Sequence, residues 1–173
     1  MHDRPDFMLV LDRSAEAHVY QQLWHLDPGL TVSRVTASSA TATAPAIAAT
    51  ASSPAFPATA LVITRIPLPG QVIGSGSTTV VKGRVNPYQG WVSHQQLQRT
   101  PAPVVIMTSK GTGAKLSTTM LTLIVAVAPG TPVSASVAKS PVASAHGTVY
   151  VVTVRIGATR TAVQVNPSTG TVG

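Results

Sequence analysis

Punctuation limits the fold of this chain more than any other feature. Short apolar runs are cut at close intervals by turns such as Asp27-Pro28-Gly29, Pro67-Leu68-Pro69-Gly70, Pro129-Gly130 and Gly157-Ala158. Runs of this length suit strands, and such frequent turn chemistry leaves little room for helices. Phe7 to Arg13, His18 to Leu26, Val32 to Val35, Ala60 to Ile66, Thr78 to Val85 and Ala102 to Thr108 read as strands. So do Lys115 to Ala128 (the longest), Val133 to Val137, Val149 to Ile156 and Thr161 to Val165. About ten to twelve short strands predict an all-β protein, an antiparallel β-sandwich. A chain of 173 residues has room for one such domain with a core, spanning 1–173 with a turn-like tail at 166–173.

Several local expectations follow. A short connection should pair the Phe7 strand with the His18 strand as antiparallel neighbours. Gly29 should supply the positive φ of a type II turn after Pro28. Residues 36–57 are Ala, Ser, Thr and Pro with few large side chains, and read as a long loop with a weak strand near Ile47. Lys110-Gly-Thr-Gly113 should turn a hairpin into the longest strand. Thr148 to Ile156 alternates poorly, which predicts burial on both faces.

Charge is placed unevenly. All five acids, Asp3, Asp6, Asp12, Glu16 and Asp27, lie in the first 27 residues, and ten Lys and Arg follow with no acid among them. A surface with one sign of charge favours anionic partners. The cations stand singly rather than in runs, which argues against nucleic acid. No apolar run approaches the roughly 18 residues of a membrane span; the longest, Leu121 to Pro129, is interrupted by Thr122. Cysteine is absent, so thiolate metal sites and disulfides are excluded. The sequence does not disclose a compartment.

Motifs for chemistry are sparse. Gly74-Ser-Gly-Ser77 and Lys110-Gly-Thr-Gly-Ala-Lys115 lack the spacing and the following helix of a phosphate loop, and read as hairpin turns. No nucleophile elbow is present, and the histidines do not converge on a metal, so no cofactor or metal is expected. Binding is better served. Trp24 and His25 end a strand, where they either pack in a sheet core or face a ligand. Tyr88 and Trp91, three apart around a glycine, suit a tight excursion that packs or presents two rings, with Arg84 and Arg99 as nearby cations. These six residues are the candidate ligand contacts.

The segments at Leu9–Arg13, His18–Leu30, Ile66–Ile73, Asn86–Ser93 and Pro101–Met107 together resemble the C-terminal part of heparinase II/III-like proteins, over roughly Phe7 to Pro132. The resemblance implies stacked antiparallel β-sheets beside a catalytic α/α toroid, and a parent activity of β-elimination on acidic polysaccharide. Neither the toroid nor the family's His-Gly-His-type segment is present in this sequence, so no catalytic or metal residue carries over. Two departures stand out: no acid follows Asp27, and residues 36–57 are of low complexity. The expectation is a non-catalytic fragment or remnant that supports a catalytic domain and contacts anionic glycan. The alternative is a stand-alone carbohydrate-binding or adhesive module.

Overall fold

The computed structural model describes residues 6–14, 19–69, 76–110, 118–140 and 145–172. Its strands are β1 (Phe7–Ser14), β2 (Val19–His25), β3 (Thr31–Val35), β4 (Ser39–Ala44), β5 (Thr59–Ile66) and β6 (Ser77–Lys82). Four two-residue strands follow: β7 (Arg84–Val85), β8 (Tyr88–Gln89), β9 (Trp91–Val92) and β10 (Thr100–Pro101). The chain continues with β11 (Pro103–Lys110), β12 (Thr118–Val127), β13 (Val133–Lys139), β14 (Tyr150–Ile156), β15 (Thr159–Asn166) and β16 (Thr171–Val172). The described residues form no helix, and every strand pair among them is antiparallel. The fold is all-β, as expected.

Three sheets make the layers. The central sheet has the order β1-β12-β5-β4-β3, and its strands β12 and β5 are covered on both faces. A three-stranded sheet, β2-β11-β6, packs on one face, and a four-stranded sheet, β13-β14-β15-β16, on the other. The architecture is therefore two sandwiches sharing one sheet. Strand β12 shows why. Met120 and Ile124 point into the core with the three-stranded sheet, while Leu121, Leu123 and Val125 point into the core with the four-stranded one. A strand buried on both faces needs a near-continuous apolar run, and residues 119–127 carry one.

The layering changes several local expectations. Strands β1 and β2 do not pair: β1 joins β12 in the central sheet and β2 joins β11 in the three-stranded sheet. The connecting residues 15–18 fall outside the described residues. Likewise β11 and β12, expected as a hairpin, lie in different sheets; the turn residues 111–117 fall outside the described residues. The Asp27-Pro28-Gly29 turn forms, with the Leu30 amide donating to the Asp27 carbonyl at 3.0 Å. Gly29 is not among the glycines at positive φ, so the turn is not type II. The Asp27 carboxylate instead accepts from the Gly29 amide at 2.8 Å.

The loop expected at 36–57 begins later. Ser39-Ala-Thr-Ala-Thr-Ala44 is β4, inside the central sheet, with Ala40 and Ala42 buried. Small side chains suit this place because Trp24 and Met107 occupy the same core cluster. The weak strand near Ile47 is a bridge from Ile47 to Phe56. Strand β14 is buried on one face only: Val152, Val154 and Ile156 point inward, Thr153 is half-buried and Arg155 exposed, because the strand lies in an outer layer. The Gly74-Ser-Gly-Ser77 turn falls largely outside the described residues.

Polar groups tie the three-stranded sheet to the central one. Thr122 is fully buried and donates its hydroxyl to the Gln22 amide oxygen, whose amide nitrogen donates to Asp12 at 2.7 Å. Arg65, also buried, donates to the carbonyls of Thr108 (2.7 Å) and Ala37 (3.2 Å). Burial lowers the Arg65 pKa from its ordinary value, because desolvation penalises the charge. Gly76 abuts this guanidinium so closely that a Cβ there would collide with it.

Candidate functional site

Between β6 and β11 the chain makes a compact excursion over residues 83–102. Gly90 closes its base. Its carbonyl accepts from the amides of Gly83 (2.8 Å) and Ala102 (2.9 Å). Its φ is +80°, and a Cβ there would stand 2.9 Å from backbone atoms of Val81, Lys82 and Gly83. Only glycine fits such an approach. Two short ladders build the excursion: β7 with β8, and β9 with β10, where Trp91 faces Pro101. The Asn86–Pro87 peptide between β7 and β8 is cis.

This arrangement brings four of the six candidate residues together. The rings of Tyr88 and Trp91 stack at 5.6 Å between centroids and 11° between planes. Arg99 places its guanidinium carbon 5.1 Å from the Tyr88 centroid and donates to the Tyr88 hydroxyl at 2.9 Å. The Trp91 indole donates to the Arg84 carbonyl at 2.9 Å, and Arg84 Nε donates to the Asn86 carbonyl at 2.9 Å. Trp91 is half-buried, and its indole N–H is held internally. Tyr88, Arg84 and Arg99 are exposed. One cation, Arg99, thus lies over a stacked aromatic pair, while Arg84 meets Trp91 through its backbone carbonyl, in a stretch of chain that contains no acid. The cluster can meet an anion with charge-assisted hydrogen bonds, and a ring with an aromatic face.

Trp24 and His25 do not form a joint site. Successive residues of a strand face opposite ways. Trp24 points inward with Tyr20 and Leu26, and its indole N–H is buried without a hydrogen-bond partner among the described residues. His25 lies on the exposed face of β2. His18 falls outside the described residues.

Among the described residues no group of three or more His, Asp or Glu is placed to share a metal ion. A cavity of about 280 Å³ is lined by Asp12, Arg13, Tyr20, Gln21, Gln22 and Met120. Its charged groups are engaged: Asp12 accepts from Gln22, and Arg13 reaches the carbonyls of Pro167 and Ser168. No family model, no curated protein and no solved structure matches the chain. Sequence reasoning missed one feature, a hydroxyl-lined groove beside Arg34. Its signal, the Ser/Thr alternation of residues 39–43, was masked by low complexity.

Proposed function

We propose that the chain is a non-catalytic all-β module that contacts acidic polysaccharide through Tyr88, Trp91, Arg84 and Arg99. This is the supporting role expected of the C-terminal β-region of a heparinase II/III-like lyase. The observation that carries the reading is the exposed Tyr88 ring with the Arg99 guanidinium 5.1 Å from its centroid, in a part of the chain without acids. A uronate or sulfated sugar offers what such a surface lacks: an oxyanion for the guanidinium groups. The same contact would serve a stand-alone carbohydrate-binding module.

A second reading is a scaffold without glycan contact. The inward Trp24 and the internal hydrogen bond of Trp91 favour it, since both indoles then serve packing. Binding of the purified chain to heparin, alginate and dextran across a salt series separates the two, with unsaturated-product absorbance followed in the same samples. The proposal expects binding to heparin and alginate but not dextran, and no unsaturated product. Binding should weaken towards 1 M salt, where the screening length falls to about 3 Å. Unsaturated product contradicts the non-catalytic reading. Absence of binding leaves the scaffold.

A further inference from the structure

The face of the central sheet that meets the four-stranded sheet is not wholly apolar. Along β3, β4 and β5 it carries Ser33, Arg34, Ser39, Thr41, Thr43 and Thr64 in place of the aliphatic residues of β12. These side chains line a groove of about 490 Å³, walled on its far side by the β12–β13 turn with Thr131. That volume lies within the range of small-molecule sites.

A register irregularity points Arg34 into it. The β3–β4 ladder runs Thr31 to Thr43 and Val32 to Ala42, then resumes with Arg34 opposite Thr41. Had the register continued unbroken, Arg34 would stand opposite Ala40, whose side chain is buried in the core under the three-stranded sheet. The bulge at Ser33 turns the cation to the groove face, and bulges commonly re-aim a side chain in this way. Ser33 is held there by a hydrogen bond from its hydroxyl to the Thr41 carbonyl at 3.2 Å.

Ser33, Ser39 and Thr43 bond within the chain, whereas other polar side chains of the groove are left available. Arg34 forms no hydrogen bond or ion pair among the described residues, and neither do the side chains of Thr41, Thr64 and Thr131. No acidic residue lines the groove. An uncompensated guanidinium fork suits a carboxylate or sulfate, and hydroxyls that both donate and accept suit the hydroxyls of a sugar.

We propose that this groove binds a small sugar bearing one oxyanion, with Arg34 on the oxyanion and Thr41 and Thr64 on the sugar hydroxyls. The inference stands on the groove alone. It lies on the opposite face of the central sheet from the three-stranded sheet that leads into the Tyr88 excursion, so either site can fail without the other.

The test is an amide chemical-shift titration of the isotope-labelled full chain with glucuronate, glucose 6-sulfate, glucose and inorganic sulfate. The expected result is saturable shifts at residues 33–43 and 129–131 with glucuronate or glucose 6-sulfate. Whichever of the two binds more tightly assigns a carboxylated or a sulfated source. Affinity should fall at least about tenfold in Arg34→Gln, as expected when a charged hydrogen bond is lost. It should also fall in Thr41→Val, and stay unchanged in Arg99→Gln. Arg34 is exposed, so its replacement should leave the thermal unfolding curve in place. Equal shifts from glucose, equal shifts from inorganic sulfate, shifts confined to other residues, no shifts at all, or an unaltered Arg34→Gln affinity would each overturn the proposal.

Discussion

The two faces of the central sheet solve burial differently. Towards the four-stranded sheet the core is aliphatic: Leu121, Leu123, Val125, Val152, Val154 and Val165 are almost completely buried. Towards the three-stranded sheet the core mixes Ala40, Ala42, Met107, Met120 and Trp24 with polar groups, namely Thr122 on Gln22 and Arg65 on two carbonyls. An aliphatic face gains stability from area and close packing alone. A mixed face depends on each polar atom finding its partner, because a buried group left unpaired costs more than a pair contributes. The aliphatic core therefore gains most from buried area, and the mixed core depends on its polar pairs staying made.

Substitutions can break this contrast. Leu123→Ala, on the aliphatic face, should have the largest effect, lowering unfolding stability by about 3 kcal/mol through lost burial and a residual cavity. Urea denaturation measures it. An effect no greater than that of a polar substitution on the other face would erase the distinction. Thr122→Val keeps the shape but strands the Gln22 amide oxygen, and should cost about 1–2 kcal/mol in the same assay. Adding Gln22→Leu should then recover part of the loss, since the buried pair is removed together and Asp12, which loses its Gln22 donor, is exposed to water. The smallest effect belongs to Trp24→Phe. It loses ring area but also removes the unpartnered buried N–H, so stability should change by less than about 1 kcal/mol. A large loss would mean that the indole N–H is satisfied after all.

The same contrast explains what could be read from the chain. Strands facing the aliphatic core announced themselves, because Val, Ile and Leu recur where one or both faces are buried. Strand β4 did not. Ser39-Ala-Thr-Ala-Thr-Ala44 alternates with the period of a strand, yet alanine buries so little area that the segment looked like a loop. Sheet membership was also hidden. Short connections after β1 and before β12 looked like hairpins, and only the packing of three layers shows that the chain changes sheets there. Within the candidate site, the spacing of Tyr88, Gly90 and Trp91 did foretell a tight aromatic excursion. Strand alternation alone separates Trp24 from His25, whereas the partnership of Arg99 with Tyr88 depends on a chain reversal that spacing does not encode.

The most direct test of the account is Trp91 fluorescence in the Trp24→Phe background, where Trp91 is the sole tryptophan, titrated with heparin at low and high salt. If the Tyr88–Trp91–Arg99 cluster contacts acidic glycan, emission shifts saturably at low salt, the shift is suppressed at high salt, and Arg99→Gln weakens it by about tenfold. Emission that stays unchanged while heparin binds, or a response indifferent to salt and to Arg99, would contradict the assignment of glycan contact to this cluster.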